Sequence, residues 1–168
     1  MLVPESGCTA CGNVSHFYNP KKSCGKDLHR KVNETYNGGN VTGKLYQDTV
    51  SIAGLTVRFC LARERENQWL INICQAKGQT FVAVTDYPEA FTYSHDLDGF
   101  LGLAFPSLSP IQATPLLQNL FKEKQIPDAV FGVSLAPNCP ELYLGGTNSK
   151  YSDRDFAYFN VLPKVRIR

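Results

Sequence analysis

Two glycines bracket an apolar pair in Asp98-Gly99-Phe100-Leu101-Gly102, and the run continues through Leu103, Ala104 and Phe105. Glycine inside an apolar run weakens a strand and offers no side chain to pack. It marks a bend or a place where another backbone comes close. The segment is therefore expected to lie against a second stretch of chain. The surrounding sequence supplies the strands for such packing. Thr49-Val50-Ser51-Ile52 alternates and turns at Ala53-Gly54 into Leu55-Thr56-Val57. Residues 80–85 are β-rich and end at Asp86-Tyr87-Pro88, and residues 130–135 and 141–144 read as two more short strands. Asn37-Gly38-Gly39-Asn40 is a turn signal between strand-like flanks. One helix is expected, with Thr114 as N-cap, Pro115 at its first position, and Leu116, Leu117, Leu120 and Phe121 on one face. Many short strands with one amphipathic helix make the fold class mostly β.

A chain of 168 residues is long enough for one real core. With 43% hydrophobic and 19% charged residues it has an ordinary globular composition, which argues against disorder. No apolar run approaches the roughly 18–20 residues of a membrane helix, so no membrane partner is expected. A net charge of +2 without a long lysine run gives no reason to expect a nucleic-acid partner. Met1-Leu2-Val3-Pro4 has none of the features of a signal peptide. Yet three N-glycosylation sequons occur, at Asn13, Asn33 and Asn40, and sequons matter only in secreted proteins. A secreted interior without a leader implies that the beginning is missing.

Cys8-x-x-Cys11 admits half a zinc site, a redox pair or a short disulfide loop. Zinc would need a second pair of ligands at matching spacing, which His16, His29 and His95 do not supply. A redox motif would open a helix after a strand, whereas this pair sits among Gly7, Gly12 and Asn13. A small loop disulfide is the expected outcome, with no metal.

Read in order, several motifs together resemble the amino-terminal lobe of the pepsin-like aspartic protease family. They are Tyr36-Asn37-Gly38-Gly39-Asn40-Val41-Thr42-Gly43, Asp48-Thr49-Val50 with Ala53-Gly54-Leu55, and Asp98-Gly99-Phe100-Leu101-Gly102-Leu103-Ala104. Ala113-Thr114-Pro115, Phe131-Gly132-Val133 and Glu141-Leu142-Tyr143-Leu144-Gly145-Gly146 complete the set. Cys8-Thr9-Ala10-Cys11 and Ile52-Ala53-Gly54-Leu55 are most similar to fungal members. The resemblance implies a pepsin-like acid protease fold, present as a partial amino-terminal lobe with one or two short helices. It implies an aspartic endopeptidase that needs no cofactor and acts on a peptide or protein substrate. The full protein is implied to be secreted or vacuolar, monomeric, and dependent on a second lobe for activity.

The same resemblance assigns roles. Tyr36 matches a tyrosine on a flap that closes over bound peptide, with Gly38 and Gly39 giving the tip its flexibility. Phe91, Leu97 and Phe100 match apolar walls of a substrate pocket. Asp98, Gly99, Leu101 and Gly102 match structural positions near the active site, with residues 100–102 packed through the loop that bears a catalytic aspartate. Asn37 stands where the family has glycine, and Leu2 where it has a tryptophan that hydrogen-bonds the flap tyrosine. A glycan on Asn40 is expected to crowd the cleft.

That catalytic loop carries Asp-Thr-Gly or Asp-Ser-Gly, and neither tripeptide occurs in this chain; Asp48-Thr49 is followed by Val50. Two close carboxylates share one proton because both cannot ionise together, and one then activates a water. Without them no catalytic residue can be assigned and the chain is expected to be inactive. The alternative is a non-catalytic secreted peptide-binding β-glycoprotein of the same fold. With its partner loop missing, the segment 100–102 is expected to leave its backbone groups unpaired, at about 1–3 kcal/mol each if buried, and the isolated chain to fold poorly.

Residues 1–164 are thus expected to form a partial lobe interrupted at 57–75. That segment crowds charges with Trp69, Cys60 and Cys74. Removing it joins Gly54-Leu55-Thr56 to Ala76-Lys77-Gly78, an uninterrupted strand pair. Val57-Arg58 and Val165-Arg166 can both be encoded by GTACGT or GTGCGT, a common intron start, and Gln75 by CAG, a common intron end. The segment therefore reads as translated intron, with 165–168 an atypical tail. The rival reading is a true insertion closed by a Cys60–Cys74 disulfide.

Overall fold

The computed structural model describes residues 1–12, 14–36, 39–53, 56–58, 73–87, 97–135, 140–147 and 156–161. The expectations placed at Asn13, Asn37, Gly38, Phe91, Cys60, Cys139, residues 59–72 and the tail 165–168 lie outside them. The chain forms two compact units, one from residues 1–50 and 76–119, the other from residues 51–75 and 120–168.

The first unit is built on a four-stranded sheet in the order β1-β5-β3-β2, from β1 (Leu2–Pro4), β2 (Lys26–Tyr36), β3 (Gly39–Ala53) and β5 (Ile73–Asp86). β2 and β3 are the antiparallel arms of the hairpin expected around Asn37-Gly38-Gly39-Asn40, paired from Tyr36↔Gly39 outward. β1 is a three-residue strand that pairs in parallel with β5, setting Leu2 opposite Val82 and Pro4 opposite Val84. Side chains on β5 alternate between two cores. Val82 and Val84 join Val32, Val41, Leu45, Tyr87 and Cys11 on one face, while Phe81 and Ala83 join Tyr46 on the other. A strand buried on both faces reads as a continuous apolar run, which is why 81–84 is Phe-Val-Ala-Val without polar alternation. Between β3 and β5 the backbones touch. A Cβ on Gly43 would lie 2.4 Å from the Ala83 carbonyl oxygen.

The expected helix exists as α1 (Leu116–Lys122), preceded by a 3-10 turn at Pro106–Leu108. Leu116, Leu117 and Leu120 are buried as expected, but Phe121 is 45% exposed. Five residues separate Phe121 from Leu116, which at 3.6 residues per turn rotates it about 140° away from that buried side chain. Gln79 ties the helix start to β5. Its buried amide donates to the Thr114 carbonyl at 3.0 Å, and the Asn119 amide donates to its Oε1 at 2.7 Å.

The second unit carries a three-stranded antiparallel sheet in the order β4-β7-β6, from β4 (Thr56–Arg58), β7 (Glu141–Leu144) and β6 (Phe131–Ser134). β4 pairs through Val57↔Leu142 and Arg58↔Glu141. Gly145 adopts φ +87° and donates its N–H to the Val130 carbonyl at 2.7 Å, closing the ladder's end.

Candidate functional site

The question posed by Gly99 and Gly102 is answered by β1. Phe100 and Leu2 exchange both backbone hydrogen bonds at 2.9 Å, and a Cβ on Gly99 would meet the Leu2 carbonyl oxygen at 2.5 Å. A close backbone approach therefore falls at Gly99, while Gly102 has nothing within 4 Å of the space for its Cβ. Phe100 is likewise not left without a ladder partner. The physical reason is the three-residue β1, too short to announce itself as a strand, which reaches the segment directly.

These contacts hold Phe100 at the wall of a cavity of about 260 Å³ within the first unit. Val32, Glu34 and Tyr36 of β2 line it, as do Leu2, Val41 and Phe100. Alternate residues of a strand share a face, so the phase of the hairpin brings Val32, Glu34 and Tyr36 to the cavity together. The Tyr36 ring stands 5.8 Å from that of Phe100, tilted by 57°, and is 44% exposed. Phe100 also packs edge-on against Tyr87 at 6.3 Å. Burial pushes the Tyr87 hydroxyl up to a pKa of about 12.

The other expected positions divide. Leu101 and Gly102 line the cavity, with Leu101 40% exposed. Leu97 is exposed and does not line it. Gly39 pairs with Tyr36 at the hairpin end. Asp98 points elsewhere, accepting the Ser15 N–H at 2.7 Å and the His16 N–H at 3.3 Å and pairing with His16 Nδ1. It fastens the loop after the disulfide to the segment that carries Phe100. The His16 hydrogen bond first, then the Ser15 amide, hold the Asp98 carboxyl below its ordinary value of 3.8. A depressed folded-state pKa adds stability above that value and loses it as pH falls through the folded one. Carboxyl titration followed by NMR should place Asp98 below 3.8 in the native chain and move it upward in His16→Ala; an unmoved midpoint would remove the fastening role.

Cys8 and Cys11 form the expected disulfide, with Cα atoms 5.5 Å apart. Cys24 is a free, exposed thiol. Asn33 and Asn40 are exposed and absent from the cavity lining. Their two sequons face each other across the hairpin, Asn33 opposite Thr42 and Thr35 opposite Asn40, and Thr35 Oγ1 donates to Asn40 Oδ1 at 3.1 Å. Asn40 alternates with Val41, and of the two it is Val41 that lines the cavity.

Asp48, the aspartate of Asp48-Thr49-Val50, is engaged in local hydrogen bonds and does not line the cavity. It accepts from Ser23 Oγ, from the Tyr18 hydroxyl at 3.2 Å and from the Thr49 N–H at 2.7 Å. Glu5, buried beside β3, is held by Lys44 Nζ at 3.2 Å, and that hydrogen bond raises the lysine's pKa. What the described residues offer is a cavity walled by aromatic rings, aliphatic side chains and one side-chain carboxylate. Glu34 is a charged lining residue that the motifs did not single out. Its signal was the two-residue spacing from Tyr36 once the hairpin phase is known.

The sequence profile described as Eukaryotic aspartyl protease matches residues 1–74 and 65–166. The chain belongs to this family. Among the curated aspartyl proteases it resembles, an aspartic protease of Phaffia rhodozyma is 29% identical over 166 residues, covering 98% of this chain and 36% of that protein. A cathepsin D of Canis lupus familiaris is 31% identical over 181 residues, covering 98% and 40%. A pepsin A of Rhinolophus ferrumequinum is 28% identical over 161 residues, covering 95% and 36%. The chain thus spans between about a third and two fifths of the length of these aspartyl proteases. The two profile matches meet inside residues 65–74, within the segment whose composition departs from its surroundings.

Proposed function

We propose that this chain is the substrate-binding part of the amino-terminal lobe of a fungal-type, pepsin-like aspartic endopeptidase. The observation that carries the reading is the Tyr36 ring at the end of a hairpin, set against Phe100 over a largely aliphatic cavity. An extended peptide placed there would bury apolar side chains beneath Tyr36, with Phe100 and Leu101 as the wall. Gly38, Gly39, Phe91 and Leu97 belong to the same reading as hairpin tip and outer wall. Hydrolysis would require two carboxylates close enough to share a proton, one drawing a proton from water and the other donating a hydrogen bond to the scissile carbonyl. No Asp-Thr-Gly or Asp-Ser-Gly is present to supply either, so the chain alone binds without cleaving. Activity belongs to a longer, secreted or vacuolar product, and the greater length of the relatives supports this. The binding glycoprotein remains the rival, favoured by the missing aspartates.

The segment 57–75 enters the same proposal as translated intron, with 165–168 as the start of another. Supporting it are the composition of the segment and the meeting of the two profile matches inside it. The exposed outer face of the hairpin supports Asn33 and Asn40 as glycan acceptors, with Asn13 the third.

Sequencing the transcript across both ends tests the reading. A message with Asp-Thr-Gly ahead of Leu2-Val3-Pro4, without codons 57–75 and with a second lobe, should yield a secreted, glycosylated peptidase. That product should cleave between apolar residues at acidic pH and be blocked by pepstatin. Glycopeptide mass spectrometry of the same product checks the three acceptors. A message that starts at Met1, keeps 57–75 and stops after Arg168 would leave the binding glycoprotein instead.

A further inference from the structure

Among the described residues that line the cavity, Glu34 carries the only charged side chain. It sits between Val32 and Tyr36 on the same strand face, half-buried, with walls of Leu2, Val41 and Phe100 around it. No hydrogen bond or ion pair to its carboxylate is formed by any described residue. The other inward carboxylate of this unit is treated differently: Glu5 is held by Lys44 through both oxygens, at 3.2 and 3.3 Å. A carboxylate withdrawn from water without a partner is costly, and a cation arriving with a ligand offsets that cost.

We propose that Glu34 sets the specificity of the cavity, selecting peptides that place a lysine or arginine side chain close to the apolar residue seated beneath Tyr36. The proposal rests on the peptide-binding reading of the cavity and adds the chemical class of peptide it takes. The spacing follows from strand geometry. Two residues along β2 separate Glu34 from Tyr36 by about 7 Å, the distance between alternate side chains of an extended peptide. The cationic residue therefore belongs within two positions of the apolar anchor. A purely apolar peptide would leave the carboxylate buried and unpaired, and an acidic one would add repulsion. Charge complementarity of this kind discriminates between ligands more than it strengthens binding overall.

The test uses the full 168-residue chain and fluorescently labelled octapeptides that share one central Leu-Phe pair. Lysine is walked through the two positions on either side of that pair, and glutamine stands at the same positions in the control set. Fluorescence anisotropy then gives a Kd for each. At one position lysine should bind about tenfold tighter than glutamine, and the preference should shrink as salt is added. In Glu34→Gln, which keeps size and hydrogen-bonding capacity, the difference between lysine and glutamine peptides should vanish. Circular dichroism confirms that this variant is folded. Equal binding of lysine and glutamine peptides at every position, or a preference that survives Glu34→Gln, overturns the role of Glu34 but leaves the cavity as a peptide site. Failure of all the peptides to bind overturns the peptide-binding reading, and this inference with it.

Discussion

Gly43→Val is expected to abolish cooperative unfolding of the first unit. A Cβ at this position meets the Ala83 carbonyl oxygen at 2.4 Å and the Val82 Cγ1 at 2.6 Å. The first of these is backbone in the centre of the sheet, so rotating a side chain cannot relieve it. The strands must separate, and Val82, Ala83 and Val84 would leave the two cores they hold together. Overpacking commonly costs about 1–3 kcal/mol, and a clash with ladder backbone belongs at or above the top of that range. Against a typical stability of roughly 5–15 kcal/mol, that loss is enough to leave a marginal unit unfolded. Urea unfolding followed by circular dichroism checks it, with Gly102→Ala as the control. Nothing lies within 4 Å of the space for a Cβ on Gly102, so that variant should stay within about 0.5 kcal/mol of the parent. If the two glycines respond alike, the close packing of β3 on β5 is not as described.

The second large effect is expected at Tyr87. Its ring is buried in the core formed by Val82, Val84 and Leu45, and it is the edge-on support of Phe100. Tyr87→Ala should cost about 3–5 kcal/mol, as large aromatic truncations do, and should loosen the wall that faces Tyr36. The hydroxyl adds a pH dependence. Burial pushes its pKa from 10.0 to about 12, so between those values the folded chain keeps a proton that the unfolded chain has lost. Stability from this group is fully present below pH 10 and falls as pH rises towards 12. Tyr18 and Tyr46 are raised too, mainly by burial, and contribute in the same direction. Tyr87→Phe should therefore flatten, without abolishing, the alkaline loss of stability measured by denaturant melts at pH 9 to 12. An unchanged slope in Tyr87→Phe would mean that the hydroxyl is not held in a desolvated place.

Local chemistry made much of this legible in the amino-acid string. The alternation around Thr49-Val50-Ser51-Ile52, the glycine-rich hairpin turn, the β-branched runs, and Pro115 ahead of a leucine stripe each placed an element within a few residues of its position. Cys8 and Cys11 declared a short disulfide because their neighbours suit neither zinc nor a redox helix. The order of several weak motifs pointed to the aspartyl protease family, and the missing Asp-Thr-Gly was visible as an absence in the chain itself.

Tertiary structure decided what depends on partners distant in sequence. Local pattern cannot reveal a three-residue strand whose only cause is pairing with β5, so β1 and its contact with Phe100 appeared only in the fold. That contact places a close backbone approach at Gly99, because the position of a carbonyl oxygen is set by the strand it belongs to. Hairpin phase decided the rest. A shift of one residue sends every side chain to the opposite face, and the observed register turns Asn40 outward and Glu34 inward beside Tyr36. Residue types thus determined which elements form and which chemistry is missing. Register and long-range pairing determined which of those residues meet.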